Sequence, residues 1–167
     1  MKNLDSRRTF IKKLSTGVGV AAFAPFLSSF FIPNVQKKLG IALVGLGGYS
    51  RGQLAPALLE TQNCYLAGIV TGTPSKIPDW QARYNIPDKN CYNYENFDTI
   101  ASNPDIDIVY VVLPPSMHKE YTIRAAKAGK HVICEKPMAI SVEECEEMIA
   151  ACKKAKRMLS IGYRLHF

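Results

Sequence analysis

LGIALVGLGGYS, residues 39–50, decides the fold. Leu39 to Val44 form an unbroken apolar run that closes on Gly45, the pattern of a strand covered on both faces. Residues 50–61 then place Leu54, Leu58 and Leu59 on one side of a helix. A glycine-rich loop between a strand and a helix start offers free backbone N–H groups to a phosphate. Gly45 would make the tight turn, and Gly47 would let the backbone approach a pyrophosphate. Gly48 and Tyr49 share the loop, with Tyr49 placed to touch the ligand. Ser50 takes the third fingerprint position, where glycine or alanine is usual, and is still small enough to pack. A bare tight turn is the plainer reading of such glycines. The strand before, the helix after and a second strand about 20 residues on favour a dinucleotide site.

Outward from this loop, strand and helix patterns alternate. CYLAGIV (64–70) is a second buried strand, and 79–84 and 95–101 read as short helices, the second ended by Asn103-Pro104. IDIVYVVL (106–113) is a third strand. A helix over 116–128 closes at Gly129, and HVICE (131–135) is a fourth strand. Ser141 with Glu144 spells a capping box for a helix to about 157, and MLSIGYR (158–164) is a last strand. The alternation predicts an α/β fold: a doubly wound parallel sheet of Rossmann type with right-handed crossovers. Ligands of such sheets bind beyond the carboxyl ends of the strands. Here those ends are GLGGYS, TGTPSK, LPPSMH, EKP and GYRLHF, five loops facing one crevice.

The second strand ends at Val70-Thr71, where an NAD site usually has an Asp or Glu on the ribose hydroxyls. Thr71 removes that repulsion against a 2′-phosphate, and Thr73, Ser75 and Lys76 can donate to one. NADP is therefore expected, with NAD as the alternative and a solvated surface lysine as the plainer reading of Lys76. At the end of HVICE stands Glu135-Lys136-Pro137. An amine there can hydrogen-bond a hydroxyl that loses or gains a proton as hydride moves, and burial beside a cofactor ring would ease that transfer. Glu135 is expected to orient the amine, and Pro137 to fix the turn.

The chain has 167 residues with a net charge of +7, but seven of the 21 basic residues and one of the 14 acids lie within 1–38. The remainder is nearly neutral, which argues against a nucleic-acid surface. SRRTFIKKL (6–14) before a weakly apolar run has the layout of a twin-arginine signal, with an ordinary anchor or an amphipathic arm as alternatives. It implies the twin-arginine export machinery as a partner and a periplasmic location, with a membrane anchor if the signal is retained. Residues 1–38 are thus read as signal and short linker, and 39–167 as the dinucleotide-binding domain. The five cysteines show no metal-ligand spacing. Cys64 and Cys91 could pair in an oxidising compartment, while buried free thiols are the plainer reading. His118 and His131 read as helix-start and strand-start residues, not as metal ligands.

AGKHVICEKPMA (128–139), VVLPPSMHKEYTIRAAKAGKH (111–131), GLGGYS and SIGYRLHF (160–167) together resemble the glucose–fructose oxidoreductase / inositol dehydrogenase / MocA family. With the leader and TGTPSK, they most resemble the glucose–fructose oxidoreductase branch. The resemblance implies Lys136 as catalytic lysine. It places Leu113, Pro114, Ser116 and His118 on the nicotinamide and cofactor side, Glu135 and Lys136 on the nicotinamide ribose, and Arg164 near the cofactor. It further implies a C-terminal α/β substrate domain, which carries the other catalytic residues and commonly serves dimerisation, so a homo-oligomer is expected of a full-length form. This chain stops at Phe167, where that domain should begin, so a fragment or a truncated gene is expected. Only about half a dozen residues lie between leader and first strand, which argues against permanently bound NADP.

The expected function is the cofactor half of an exported, NADP-dependent oxidoreductase acting on a sugar or polyol, inactive alone if the second half is needed. A redox glycosidase using NAD and a non-catalytic dinucleotide-binding module remain as alternatives.

Overall fold

The computed structural model describes residues 37–163. Residues 1–36, which hold the expected twin-arginine signal, and residues 164–167, which hold Arg164, lie outside the described residues. Six strands form one sheet: β1 (Leu39–Val44), β2 (Cys64–Val70), β3 (Cys91–Tyr92), β4 (Ile108–Val111), β5 (His131–Cys134) and β6 (Leu159–Ile161). All neighbours run parallel, in the order β3-β2-β1-β4-β5-β6. The order reverses between β1 and β4, so the loops that follow these two strands part and leave a crevice.

The helices are α1 (Ala55–Glu60), α2 (Ile77–Tyr84), α3 (Pro115–Lys127) and α4 (Val142–Lys154). A π-turn at Ser50–Leu54 leads into α1. The period of two along β1 sends its residues to opposite faces. Ile41 and Leu43 join Leu46, Ile69, Trp80 and Ile86 on the α1/α2 face. Ala42 and Val44 join Phe97, Ile106, Val109, Val111, Tyr121 and Met148 on the α3/α4 face.

Three features differ from the sequence pattern. β3 has only two residues in a polar stretch, too little for a periodic signal, yet it extends the sheet beyond β2. HVIC is therefore the fifth strand in sequence, not the fourth. Residues 97–102 form a 3-10 helix, not an α-helix. The capping box at α4 is shared differently: Ser141 Oγ accepts from the Glu144 amide at 3.3 Å, while Glu144 Oε2 reaches the Ile140 amide at 3.5 Å. Gly129 does close α3 in the left-handed region, with φ of 76°.

Candidate functional site

The glycine loop is built for its turn. Gly45 has φ of 98°, and a Cβ there would stand 2.3 Å from the Val112 carbonyl oxygen. Only glycine allows β1 to turn this close to the loop after β4. Ser50 is fully buried, and its hydroxyl donates to the Gly45 oxygen at 2.5 Å. Serine in place of glycine or alanine thus closes the turn on itself. Gly47 and Gly48 are exposed, and added Cβ atoms would meet no protein atom within 4 Å. The space above them is open to a ligand.

A cavity of about 450 Å³ lies against this loop. Gly47, Gly48 and Tyr49 form one wall, Val112 and Leu113 the second, and Glu135, Lys136 and Gly162 the third. Residues from the ends of β1, β4, β5 and β6 therefore meet in one place. Pro114 precedes α3 and Ser116 stands in its first turn, both exposed at the same end of the sheet.

Glu135 is buried, with 8% of its surface exposed. Its Oε1 accepts from the Tyr110 hydroxyl at 2.6 Å, and its Oε2 from the Lys136 amide at 3.2 Å. The carboxylate thus sets the backbone of the lysine turn; the expected direct grip on the amine is replaced by this main-chain hold. Lys136 itself is exposed, so the described residues do not bury the amine. The Lys136–Pro137 peptide is cis. Gly162 makes room for the arrangement: a Cβ there would lie 2.8 Å from Glu135 Oε1 and 3.1 Å from the Tyr110 oxygen. Tyr110 is a residue the sequence reading missed. No local motif marks it, because the contact arises only from the pairing of β4 with β5. Burial, reinforced by the Glu135 carboxylate, pushes the Tyr110 phenol well above its ordinary range.

The loop after β2 divides its residues. Thr71 is buried, and its Oγ1 accepts from the Thr73 amide at 3.0 Å, which ties its side chain to the turn. Thr73, Ser75 and Lys76 are exposed. Lys76 Nζ donates to the Leu46 carbonyl at 3.0 Å, which holds the amine of this exposed lysine beside the glycine loop. Arg51, outside the expected site, reaches across to Asp79 at 3.0 Å.

His118 departs from its expected place on the cofactor wall. It is fully buried, and its ring nitrogens face the carbonyl oxygens of Leu113 and Pro137. All five cysteines are free thiols, Cys64 and Cys91 included. Burial pushes the Cys134 thiol up to about 12.

The sequence pattern of the oxidoreductase family with an NAD-binding Rossmann fold, named for Gfo, Idh and MocA, matches residues 39–163. The chain belongs to the Gfo/Idh/MocA family. It is 31% identical over 125 residues to a D-xylose 1-dehydrogenase [NADP(+)] of Haloarcula marismortui, covering 75% of this chain and 34% of that protein. It is 43% identical over 77 residues to the 2,7-anhydro-N-acetylneuraminate hydratase of Escherichia coli K12, covering 46% and 21%. Among solved structures, the aldose-aldose oxidoreductase of Caulobacter crescentus complexed with glycerol superposes with a TM-score of 0.76 at 54% identity, covering 77% of this chain and 38% of that one. The apo scyllo-inositol dehydrogenase of Lactobacillus casei gives 0.69 at 25% identity, covering 79% and 38%. The chain thus spans between about a fifth and two fifths of these Gfo/Idh/MocA proteins.

Proposed function

We propose that this chain is the cofactor-binding half of an exported, NADP-dependent oxidoreductase that moves hydride between nicotinamide and a sugar or polyol. The observation that carries the reading is the meeting of the open Gly47-Gly48 loop with Glu135 and Lys136 around one cavity. The bound nicotinamide would supply hydride exchange. This chain's own residues would do the rest. Gly45, whose amide is held by the Val70 carbonyl, makes the turn that lets Gly47 and Gly48 present backbone N–H groups to the pyrophosphate, with Tyr49 beside it. Thr73, Ser75 and Lys76 donate to the 2′-phosphate, and the absence of a carboxylate at Thr71 leaves it unopposed. Leu113, Pro114 and Ser116 form the nicotinamide side. Lys136 holds or releases the proton of the substrate hydroxyl, on a turn fixed by Glu135. Arg164 is proposed to complete the cofactor side.

The D-xylose 1-dehydrogenase [NADP(+)] supports the sugar and the NADP assignments by its name, and the aldose-aldose oxidoreductase supports the sugar. Identity to a hydratase favours a second reading, a cleavage or hydration with no net change of the dinucleotide. Turnover of a sugar with stoichiometric NADPH change supports the first reading; product without net NADPH change supports the second. In the form of the protein that turns over sugar, Lys136→Met is expected to lower kcat by about 10²–10⁴-fold, a larger effect than its loss of NADPH affinity. An unchanged kcat would remove Lys136 from the chemistry. The Arg7-Arg8 pair supports export, and fractionation of cells carrying Arg7→Lys with Arg8→Lys tests it: the protein should stay in the cytoplasm.

A further inference from the structure

His118 lies near the start of α3 with none of its surface exposed, so it cannot line the crevice. Nε2 is 2.7 Å from the Leu113 carbonyl oxygen, and Nδ1 is 2.9 Å from that of Pro137. Backbone carbonyls only accept. A neutral imidazole has one N–H and one bare lone pair, so one of these two contacts would press lone pair against lone pair in a dry site. Both contacts are hydrogen bonds only if both nitrogens carry protons. We propose that His118 is a buried imidazolium that donates to both carbonyls and clasps the Leu113 loop to the Lys136-Pro137 turn. Two short charge-assisted bonds offset the cost of burying the cation. The neighbouring cation, Lys119, is turned to Glu144 and Glu147 at 3.4 and 3.5 Å.

The consequence is positional. Leu113 belongs to the wall assigned to nicotinamide, and Pro137 directly follows Lys136. His118 sets the spacing between them while touching neither cofactor nor substrate. This role rests on the proposed function; the protonation state does not.

The direct test is ¹⁵N NMR of the labelled full chain near neutral pH, with His118 assigned by loss of its signals in His118→Gln. Both ring nitrogens should show the protonated signature. His131 is the internal reference, because its Nδ1 accepts from the Met158 amide at 3.1 Å and must be bare. One unprotonated nitrogen at His118 would overturn the clasp. The second arm compares NADPH with adenosine 2′,5′-bisphosphate, which has the phosphorylated adenosine end and no nicotinamide. His118→Gln should weaken NADPH about tenfold, the loss expected for a buried hydrogen bond, and leave the bisphosphate unchanged. Equal weakening of both would mark general destabilisation and overturn the positioning role. If wild type binds neither, the cofactor reading fails while the ring-nitrogen result still decides the clasp.

Discussion

At the scale of single residues, the site depends on side chains whose type is set by a neighbour. Lys76 is the clearest. Its Nζ is held at the Leu46 carbonyl, close to where a 2′-phosphate would compete for it. Lys76→Ala should weaken NADPH about tenfold and leave NADH within about twofold, as loss of a charge-assisted bond to one phosphate demands. Equal effects on both, read by fluorescence titration, would remove Lys76 from cofactor choice. Cys134 carries the opposite kind of prediction. It is fully buried, and burial raises its thiol from 9.0 to about 12. The unfolded thiol ionises first, so the contribution of Cys134 to stability is intact below pH 9.0 and declines as pH rises toward about 12. Denaturant unfolding above pH 9 should show that decline, and Cys134→Ala should flatten it. An unchanged slope would mean the thiol is not protected by burial. In the native chain, Cys134 should also resist alkylation at neutral pH.

At the scale of elements, the strands and long helices were legible because their residues obey one period. β2 matches its apolar run residue for residue, and α3 ends where Gly129 supplies the left-handed cap. β3 was not legible, since two residues cannot show a period and its place is won by pairing with Ile69 and Val70. Within the site, the glycine loop and the EKP turn were readable from local motif chemistry. The Tyr110–Glu135 bond and the burial of His118 were not, because each depends on which strands become neighbours. Gly162 belongs to the same class. Gly162→Ala should force Glu135 or Tyr110 to shift, with a loss of about 1–3 kcal/mol typical of overpacking. Trp80→Ala, on the opposite face of the sheet, should cost about 3–5 kcal/mol by opening a cavity. Denaturant melts check both. Only Gly162→Ala should also disturb dinucleotide binding; equal impairment by Trp80→Ala, measured on folded protein, would separate the Gly162 neighbourhood from the site.

At the scale of the whole molecule, the sheet order brings every strand-end loop of the site to one end of the domain, with β1 and β4 adjacent at the point where the order reverses. That geometry explains why residues as far apart in the chain as Gly47 and Gly162 line one cavity. The chain spans 38% of the aldose-aldose oxidoreductase it resembles, so cofactor binding is the property of the enzyme reading that these residues carry themselves. Calorimetric titration of the full chain with NADP⁺ and with NAD⁺ tests it most directly. The account predicts one NADP⁺ bound per chain, with NAD⁺ at least about tenfold weaker. Binding of neither dinucleotide would contradict it.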